Sequence, residues 1–266
     1  MTQPSLFISH GAPDIAVKTD HPSYRFLCEL PSLFPRPDAI VIFSAHWGTD
    51  RVLVSSADSY KTIYDFSGFD PRLYSIQYSP KGNRDLSHIV LRLTKQIDRQ
   101  AALVETAVLD HGAWVPLHLM YPEAYIPVVT VSIQPHRPPE HHYALGQALQ
   151  ELRQQNVLII GSGAMTHNLD KMGVDDNTIP APQWVTEFAD WMQDRLETGD
   201  HEAVLTYRKK APHARKNHPT EEHLLPLFIA MGAGGGNVSQ QLHNATSYGV
   251  IRMDSYAFGV TALKKK

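Results

Sequence analysis

The chain has 266 residues, of which 42% are hydrophobic and 19% are charged, and its formal net charge is −3. This composition is that of a globular protein, and the length suits one domain with a large buried core, so we expect residues 1–266 to form a single domain. The charge balance gives no basic face for nucleic acid or an anionic membrane surface, and no apolar run approaches the about 20 residues of a membrane span.

The chain contains one cysteine, Cys28, which excludes an intrachain disulfide. Cys28 lies in the apolar stretch 24–30 and is predicted to be a small buried hydrophobe. The amino terminus lacks the basic and long apolar regions of a secretory signal. These features predict a reducing, cytoplasmic location.

Five short runs rich in β-branched residues predict strands at 5–9, 39–45, 51–56, 126–133 and 157–161. The segments AIVIF and VLII within them are continuously apolar, which is typical of central strands covered on both faces. Near the carboxyl terminus, segment 248–263 alternates between apolar and polar residues and predicts one or two strands at the edge of the sheet.

Helical periodicity lies between these runs. Apolar residues recur at i, i+3, i+4 and i+7 in segments 84–98, 141–155 and 183–197. The segment GAGGG at 232–236 predicts the end of a further helix. Because strands alternate with helices, we predict an α/β fold whose central sheet is mostly parallel or mixed and carries helices on both faces.

The 15 histidines are the unusual feature of the composition. His10, His46 and His167 lie at or just beyond the ends of predicted strands, and His111 follows another short apolar stretch. In open α/β sheets, ligands bind beyond the carboxyl ends of the strands. These four histidines therefore predict a functional site at that edge of the sheet.

Two more histidines lie in the segment NHPTEEHLLPL. Thr220 is predicted to be the N-cap of a helix, which places His223 in the first turn and His218 just before it. Their spacing differs from the i, i+4 pair of a zincin helix. We therefore expect one of the two to have a structural role.

Imidazoles gathered at one sheet edge predict a site for one divalent metal ion at the carboxyl ends of the strands. Three neutral imidazoles suit Zn²⁺ with an open fourth position, and they equally suit Fe²⁺ with room for a substrate and O₂. Additional histidines beside the ion would serve as acid–base groups. Neither the G-x-S-x-G motif of serine hydrolases nor a phosphate-binding P-loop occurs in the sequence.

Five segments carry a family resemblance: ISHGAP, SAHW, LDHGAWVPL, GSGAMTHNL and NHPTEEHLLPL. In this order and spacing they resemble the class III extradiol ring-cleavage dioxygenases, and within that class the DOPA 4,5-dioxygenase group. The resemblance extends from residue 5 to about residue 260. It implies an enzyme that opens the ring of a catechol with O₂ and takes a small aromatic diol as its substrate.

The resemblance also implies roles for five histidines. His10, His46 and His223 would bind the metal, His167 would be a catalytic group or a fourth metal ligand, and His111 would transfer protons. An all-histidine site departs from the two-histidine, one-carboxylate triad of many class III enzymes. Because its ligands are neutral, it favours Zn²⁺ in the isolated protein, with Fe²⁺ as the candidate for turnover.

For a DOPA-like substrate, the sequence offers Arg215 to bind the carboxylate, and Tyr64 and Trp47 to border the ring. A zinc-dependent hydrolase is an alternative function, with Glu222 or Asp110 as the base. A non-catalytic binding protein of the same fold is a further alternative. No nucleic-acid or membrane partner is expected.

Overall fold

The structure, a computed structural model, describes residues 2–176, 178–236 and 239–260. The strands are β1 (Ser5–Ser9), β2 (Ala39–Gly48), β3 (Leu53–Ser55), β4 (Lys61–Thr62), β5 (Ala102–Val104), β6 (Val108–Leu109), β7 (Val128–Ile133), β8 (Val157–Gly163), β9 (Ser239–His243), β10 (Thr246–Ser247), β11 (Ile251–Arg252) and β12 (Ser255–Phe258). The α-helices are α1 (Pro22–Glu29), α2 (Arg84–Thr94), α3 (His111–Met120), α4 (Pro139–Leu149), α5 (Gln183–Glu197), α6 (His201–Leu205), α7 (Tyr207–Lys210), α8 (Ala214–Asn217) and α9 (Leu225–Ala233). Short 3₁₀ helices cover Pro13–Val17, Leu30–Leu33, Pro71–Ser75, Gln150–Gln155 and Leu169–Lys171.

One mixed sheet of eight strands, in the order β5-β3-β7-β2-β8-β1-β12-β9, organises the fold. Its four central strands, β7, β2, β8 and β1, are parallel, so their carboxyl ends lie along one edge. On one side β3 pairs antiparallel with β7, and on the other β12 pairs antiparallel with β1. The mixed α/β fold predicted from the sequence is confirmed.

Helices cover both faces of the sheet because neighbouring residues of a strand point to opposite faces. Val41 and Phe43 of β2 belong to an apolar cluster that includes residues of α2, α4, α5 and α9. Ile40 and Ile42 belong to a second cluster with residues of α1 and α3. The continuously apolar central strands are therefore buried on two sides, as predicted.

The predicted elements are found with small differences in length. Each of the five predicted strands is present, and segment 183–197 is helical throughout as α5. In segment 141–155, the α-helix gives way to a 3₁₀ turn after Leu149. The GAGGG segment ends α9 as predicted, since Ala233 is the last helical residue.

Three sequence-based predictions are corrected by the structure. Segment 248–263 was expected at the edge of the sheet, but its strand β12 is the second strand from the edge. The edge strand is β9, which we did not predict and which pairs with the outer side of β12. Residues 261–263 lie outside the described residues. The helix after Thr220 begins at Leu225, and Thr220 is not its N-cap. Pro226, which lacks an N–H and fixes φ, fits the first turn of that helix.

Cys28 is the third correction, because its side chain is exposed and not buried. The buried face of α1 carries Ser23 and Leu27, which are one helical turn apart. A residue next to Leu27 points about 100° away from that face. Cys28 therefore faces solvent although the stretch around it is apolar.

Candidate metal centre

The parallel strands bring two of the predicted metal ligands together. His10 directly follows β1, and its backbone N–H donates to the carbonyl of Gly163 at the end of β8, at 3.0 Å. His46 lies near the end of β2, which is the other neighbour of β8. The strand-end position predicted for both residues is thus confirmed.

His223 arrives at the same edge from the turn before α9. The backbone N–H of Ala164, just after β8, donates to the carbonyl of His223 at 2.8 Å. This approach requires a glycine at position 163, since a Cβ there would lie 2.1 Å from the carbonyl oxygen of His223. The GSG segment of β8 therefore positions the third candidate ligand through its backbone.

The three imidazoles meet at their Nε2 atoms. The Nε2 atom of His46 lies 3.1 Å from that of His10 and 3.3 Å from that of His223. Ligand nitrogens of all three rings lie within 4.8 Å of one another. The structure thus assembles the three residues that the family resemblance implied as metal ligands.

The partners of the Nδ1 atoms decide which nitrogens are free to bind a metal. Ser162 donates its hydroxyl to the carbonyl of Gly112, so it accepts a hydrogen bond from Nδ1 of His10 at 2.9 Å. Nδ1 of His223 donates to the carboxylate of Glu222 at 3.0 Å. Because Nδ1 carries the proton in both rings, both Nε2 lone pairs point toward the centre, as a divalent metal requires.

His111 borders this centre as the first residue of α3. Its Nδ1 atom lies 3.0 Å from Oδ2 of Asp65, and its backbone N–H donates to Oδ1 of the same carboxylate at 2.9 Å. The rings of His111 and His46 are 4.0 Å apart between centroids. Asp65 therefore holds a histidine beside the candidate ligands, within reach of a bound substrate.

His167 lies on the other side of His223. The two rings are stacked, with centroids 3.4 Å apart and an interplanar angle of 8°. A ring nitrogen of His167 lies within 4.8 Å of a nitrogen of His223 and a carboxylate oxygen of Glu222. This geometry places His167 next to the centre, and its roles as catalytic group and fourth ligand stay predictions.

Burial keeps these imidazoles neutral. It lowers the pKa of His46 to about 3 and that of His167 to about 2, with neighbouring histidines adding to the effect. The pKa of His10 and His223 is also lowered by burial. Burial acts to raise the pKa of Glu222, but the hydrogen bond and charge interaction with His223, together with further hydrogen bonds, outweigh burial and lower this pKa to about 2. The site therefore pairs neutral ligand rings with an ionised supporting carboxylate.

A cavity of about 470 Å³ opens above the histidines. Its lining residues are His10, Gly11, Ala12, Pro13, His46, Phe66, Phe69, His111, Ala164, His167, Leu169, Met172, Glu222, His223 and Ile251. The histidines form one wall, and apolar side chains form most of the rest. Such a cavity suits a small aromatic ring that carries polar groups on one side.

The structure places the predicted substrate contacts differently. Trp47 lines a separate cavity of about 120 Å³ on the other side of His46. Tyr64 packs edge-on against Phe66, and its hydroxyl donates to the carbonyl of Ile76. Arg215 is exposed on α8 and is not among the described residues that line the main cavity.

His218 is fully buried, and its Nε2 atom lies 2.8 Å from the carbonyl oxygen of Met165. Among the described residues, His218 belongs to none of the groups that could hold a metal. We expected one of His218 and His223 to have a structural role, and these contacts favour His218 as that residue. Sequence reasoning missed two supporting residues, Ser162 and Asp65. Nothing in the local pattern marks them, because each acts on a histidine far away in the sequence.

Comparison with known proteins identifies the family. A family described as the catalytic LigB subunit of aromatic ring-opening dioxygenase matches residues 18–259. A 4,5-DOPA dioxygenase extradiol of Beta vulgaris is 42% identical over 97% of both chains, and one of Mirabilis jalapa is 38% identical over 98% of both. In Escherichia coli (strain K12), a protein of the same name is 33% identical over 88% of this chain and 86% of its own.

A solved structure agrees with these relatives. The crystal structure of an uncharacterised protein from Escherichia coli K12 superimposes with a TM-score of 0.80 at 30% identity, over 97% of this chain and all of that chain. No α-helix within the described ranges is both long and apolar enough to cross a membrane. The chain belongs to the LigB family of aromatic ring-opening dioxygenases, which are metal-dependent enzymes.

Proposed function

We propose that this protein is an extradiol dioxygenase that opens the ring of DOPA or a closely related catechol with O₂. The observation that carries the proposal is the convergence of three Nε2 atoms at the wall of a cavity whose remaining lining, apart from two further histidines and Glu222, is apolar or aromatic. Relatives named for 4,5-DOPA dioxygenase activity match nearly the whole chain and support this substrate class. The two oxygens of a catechol fit the histidine wall, and its ring fits the apolar remainder.

The residues fit a divalent metal held by His10, His46 and His223. Their Nε2 atoms converge on a common centre, and hydrogen bonds donated by Nδ1 of His10 and of His223 fix those two rings. When bound, the metal would lower the pKa of the catechol oxygens and bring the diol and O₂ together. We infer Fe²⁺ for turnover and Zn²⁺ as an occupant of the isolated protein, since neutral imidazoles accept both ions.

Two further histidines are placed to move protons. The ring of His167 is stacked against His223 and lines the cavity, so it is placed to accept a proton from a catechol hydroxyl. His111 is held beside His46 by its hydrogen bonds to Asp65, so it is placed to donate a proton to the opening ring. We therefore assign His167 the role of base and His111 the role of proton donor.

Anaerobic reconstitution tests the proposal. Protein prepared without metal and loaded with Fe²⁺ should, after admission of air, consume O₂ and convert DOPA to a yellow ring-opened product. The His167→Ala variant should retain the metal and lose turnover. No O₂ uptake with any member of a catechol panel would refute the dioxygenase function, and cleavage of an amide by the Zn²⁺-loaded protein would favour the hydrolase.

Among the residues that the structure describes, no contact of either candidate base favours the hydrolase alternative. Glu222, one candidate base, is engaged by His223 and Thr220. Asp110, the other, is half-buried at the N-terminus of α3, where it accepts hydrogen bonds from Ser44 and Ala113. A non-catalytic role is likewise disfavoured, because the described residues include the complete set of histidines.

We also infer that residues 1–266 act as one domain, since one sheet carries strands from both ends of the described chain. The cytoplasmic location stays a prediction, supported by a single, unpaired cysteine. Cell fractionation tests the location. Limited proteolysis that releases one resistant fragment of nearly full length tests the single domain.

A further inference from the structure

Four polar side chains lie just outside the substrate cavity and form what we call the rim cluster: Asp14, Lys18, Asp175 and Tyr248. The Lys18 ammonium lies 2.7 Å from the Asp14 carboxylate and also contacts Asp175. It donates to the hydroxyl of Tyr248 at 3.3 Å, and that hydroxyl donates to Asp14. The cluster thus joins side chains from three separate segments.

Each of these segments supplies a wall of the cavity. Pro13 precedes Asp14, Leu169 and Met172 precede Asp175, and Ile251 follows Tyr248 by three residues. None of these four lining residues belongs to the histidine centre. The cluster is therefore placed to fix the position of the apolar walls relative to one another.

The backbone supports this interpretation. Tyr248 has a φ of 51°, a left-handed conformation that is costly for an aromatic residue. Its N–H donates to Oδ1 of Asp175 at 2.8 Å, and its carbonyl accepts from the N–H of Gly173 at 2.9 Å. A residue keeps such a conformation where the contacts around it hold it in place. For Tyr248, these contacts come from the segment that contains Gly173 and Asp175 and from the rim cluster.

A small apolar cluster lies behind these walls. Met172 and Tyr248 pack against a small cluster of Val185, Val250, Ile251 and Met253, which is separate from the two main cores. Leu169 is 61% exposed, so it lies at the mouth of the cavity. Charged contacts of the rim cluster also hold the walls in place. These contacts are largely buried, since the side chains of Asp14 and Asp175 are only 12% and 14% exposed.

We propose that the rim cluster determines which catechols the enzyme accepts, by holding Leu169, Met172 and Ile251 against the ring substituent. The inference rests on the proposed function, in which the diol lies at the histidine wall. A substituent on the far side of the ring then extends toward the mouth, where these residues lie. The rim cluster positions the walls and does not touch the reacting atoms.

Lys18→Met and Asp175→Asn test the proposal in the Fe²⁺-loaded full chain. Lys18→Met removes the cation and keeps the length of the side chain, while Asp175→Asn keeps an acceptor for the Tyr248 N–H and loses the charge. We expect kcat/KM for DOPA, relative to unsubstituted catechol, to fall by about fivefold, the size expected for a lost partly buried ion pair. The change should appear in KM for DOPA, with kcat within about twofold of wild type.

Three comparisons make the result specific. Lys18→Arg keeps the positive charge and should retain the wild-type selectivity for DOPA over unsubstituted catechol. Lys95→Met removes a charge from an exposed residue at the end of α2 and should leave selectivity unchanged. Hydrogen exchange of segment 169–176, measured by mass spectrometry, should be faster in Lys18→Met and Asp175→Asn, with bound metal per chain unchanged.

Selectivity equal to wild type in both variants would overturn the proposal, even if segment 169–176 exchanged faster. Loss of bound metal in either variant would overturn it too, because the rim cluster would then support the metal centre. Absence of ring cleavage by the wild-type protein would refute the proposed function itself. Unchanged hydrogen exchange in active variants would refute the rim cluster alone, so the two failures are distinguishable.

Discussion

The two sides of the cavity are built in different ways. At the metal centre, His10 and His46 lie on or directly after parallel strands, and His10 has a fixed partner for its Nδ1 atom. The opposite walls come from short elements outside the main sheet, which are joined by the rim cluster and a small apolar cluster. Two of the candidate metal ligands are therefore held by the main sheet, and the walls that would contact the rest of the substrate are held by short peripheral segments.

Because the two sides are held differently, substitutions on each side should change a different property of the enzyme. Side chains anchored in a sheet hold a metal in one geometry, because the strands are fixed by ladder hydrogen bonds and two apolar cores. The segments that form the opposite walls can change their position with little effect on the strands of the main sheet. Substitutions at the centre should therefore abolish metal binding and turnover, and substitutions at the walls should alter substrate preference.

The largest expected effect is at the metal centre. His10→Ala removes one of three converging nitrogen ligands and should lower metal affinity and ring-cleavage activity by more than about 100-fold, since loss of a supporting residue alone costs about 10- to 100-fold. Metal content per chain and O₂ uptake measure the effect. His88→Ala, at an exposed position on α2, is the control and should bind metal normally. A His10→Ala protein with one tightly bound metal would contradict the ligand assignment.

A smaller effect is expected for a residue that orients a candidate metal ligand and does not itself bind the metal. Ser162→Ala removes the acceptor for Nδ1 of His10 and should weaken metal binding by about 10- to 100-fold, because the ring loses its orientation. Competition with a chelator measures the affinity. Ser5→Ala, also buried in the sheet and bonded to a carbonyl, is the matched control. Equal affinities in the two variants would show that the sheet alone orients His10.

Acid should destabilise the protein through its buried histidines. Burial lowers the pKa of His142 from its usual 6.5 to about 3 and that of His218 to about 4. At pH 5 the unfolded chain protonates these histidines and the folded chain does not, so stability falls as the pH falls. Between pH 7 and 5 each should contribute a loss of about 2 kcal/mol in the free energy of unfolding.

Urea unfolding of the metal-free protein at several pH values measures this dependence. His142→Gln should reduce the difference in unfolding free energy between pH 7 and 5 by about 2 kcal/mol. Lys18→Met should lower stability by a similar amount at both pH values, because the hydrogen bonds to Asp14 and Asp175 outweigh burial and raise the pKa of Lys18. A stability independent of pH would contradict the neutral, buried state of these histidines.

The smallest effects are expected at the aromatic wall. Phe66 lines the cavity with its ring edge-on to His111 at 5.7 Å. Phe66→Ala should raise KM for catechols by about 3- to 10-fold, which corresponds to the about 0.5–1.5 kcal/mol of an aromatic contact, with metal content unchanged.

The Arg215→Met variant tests whether Arg215 binds the substrate carboxylate, as expected from the sequence, or lies away from the substrate, as its position in the structure indicates. Because Arg215 is exposed on α8 and is not among the cavity-lining residues, KM for DOPA should change by less than about twofold. A larger increase in KM would show that Arg215 binds the substrate carboxylate, as the sequence suggested.

Much of the fold and the centre could be predicted from local patterns. The apolar runs and helical periodicity gave the parallel core of the sheet, and strand ends marked His10 and His46. The start of α9 and the outer position of β9 could not be read in this way. Pro226 overrides the cap signal at Thr220, and β9 is only partly buried, so its sequence lacks an apolar run.

Local sequence patterns were sufficient to place His10 and His46 at one edge of the sheet, because both histidines lie at the carboxyl ends of buried parallel strands. The orientation of these two rings and the residues that face them depend on contacts between distant segments. Ser162 lies 152 residues from His10, and Asp175 lies 157 residues from Lys18. Strand and helix periodicity reports the burial of a residue within its own element. It carries no signal for a hydrogen bond or ion pair between segments so distant, and folding creates those contacts.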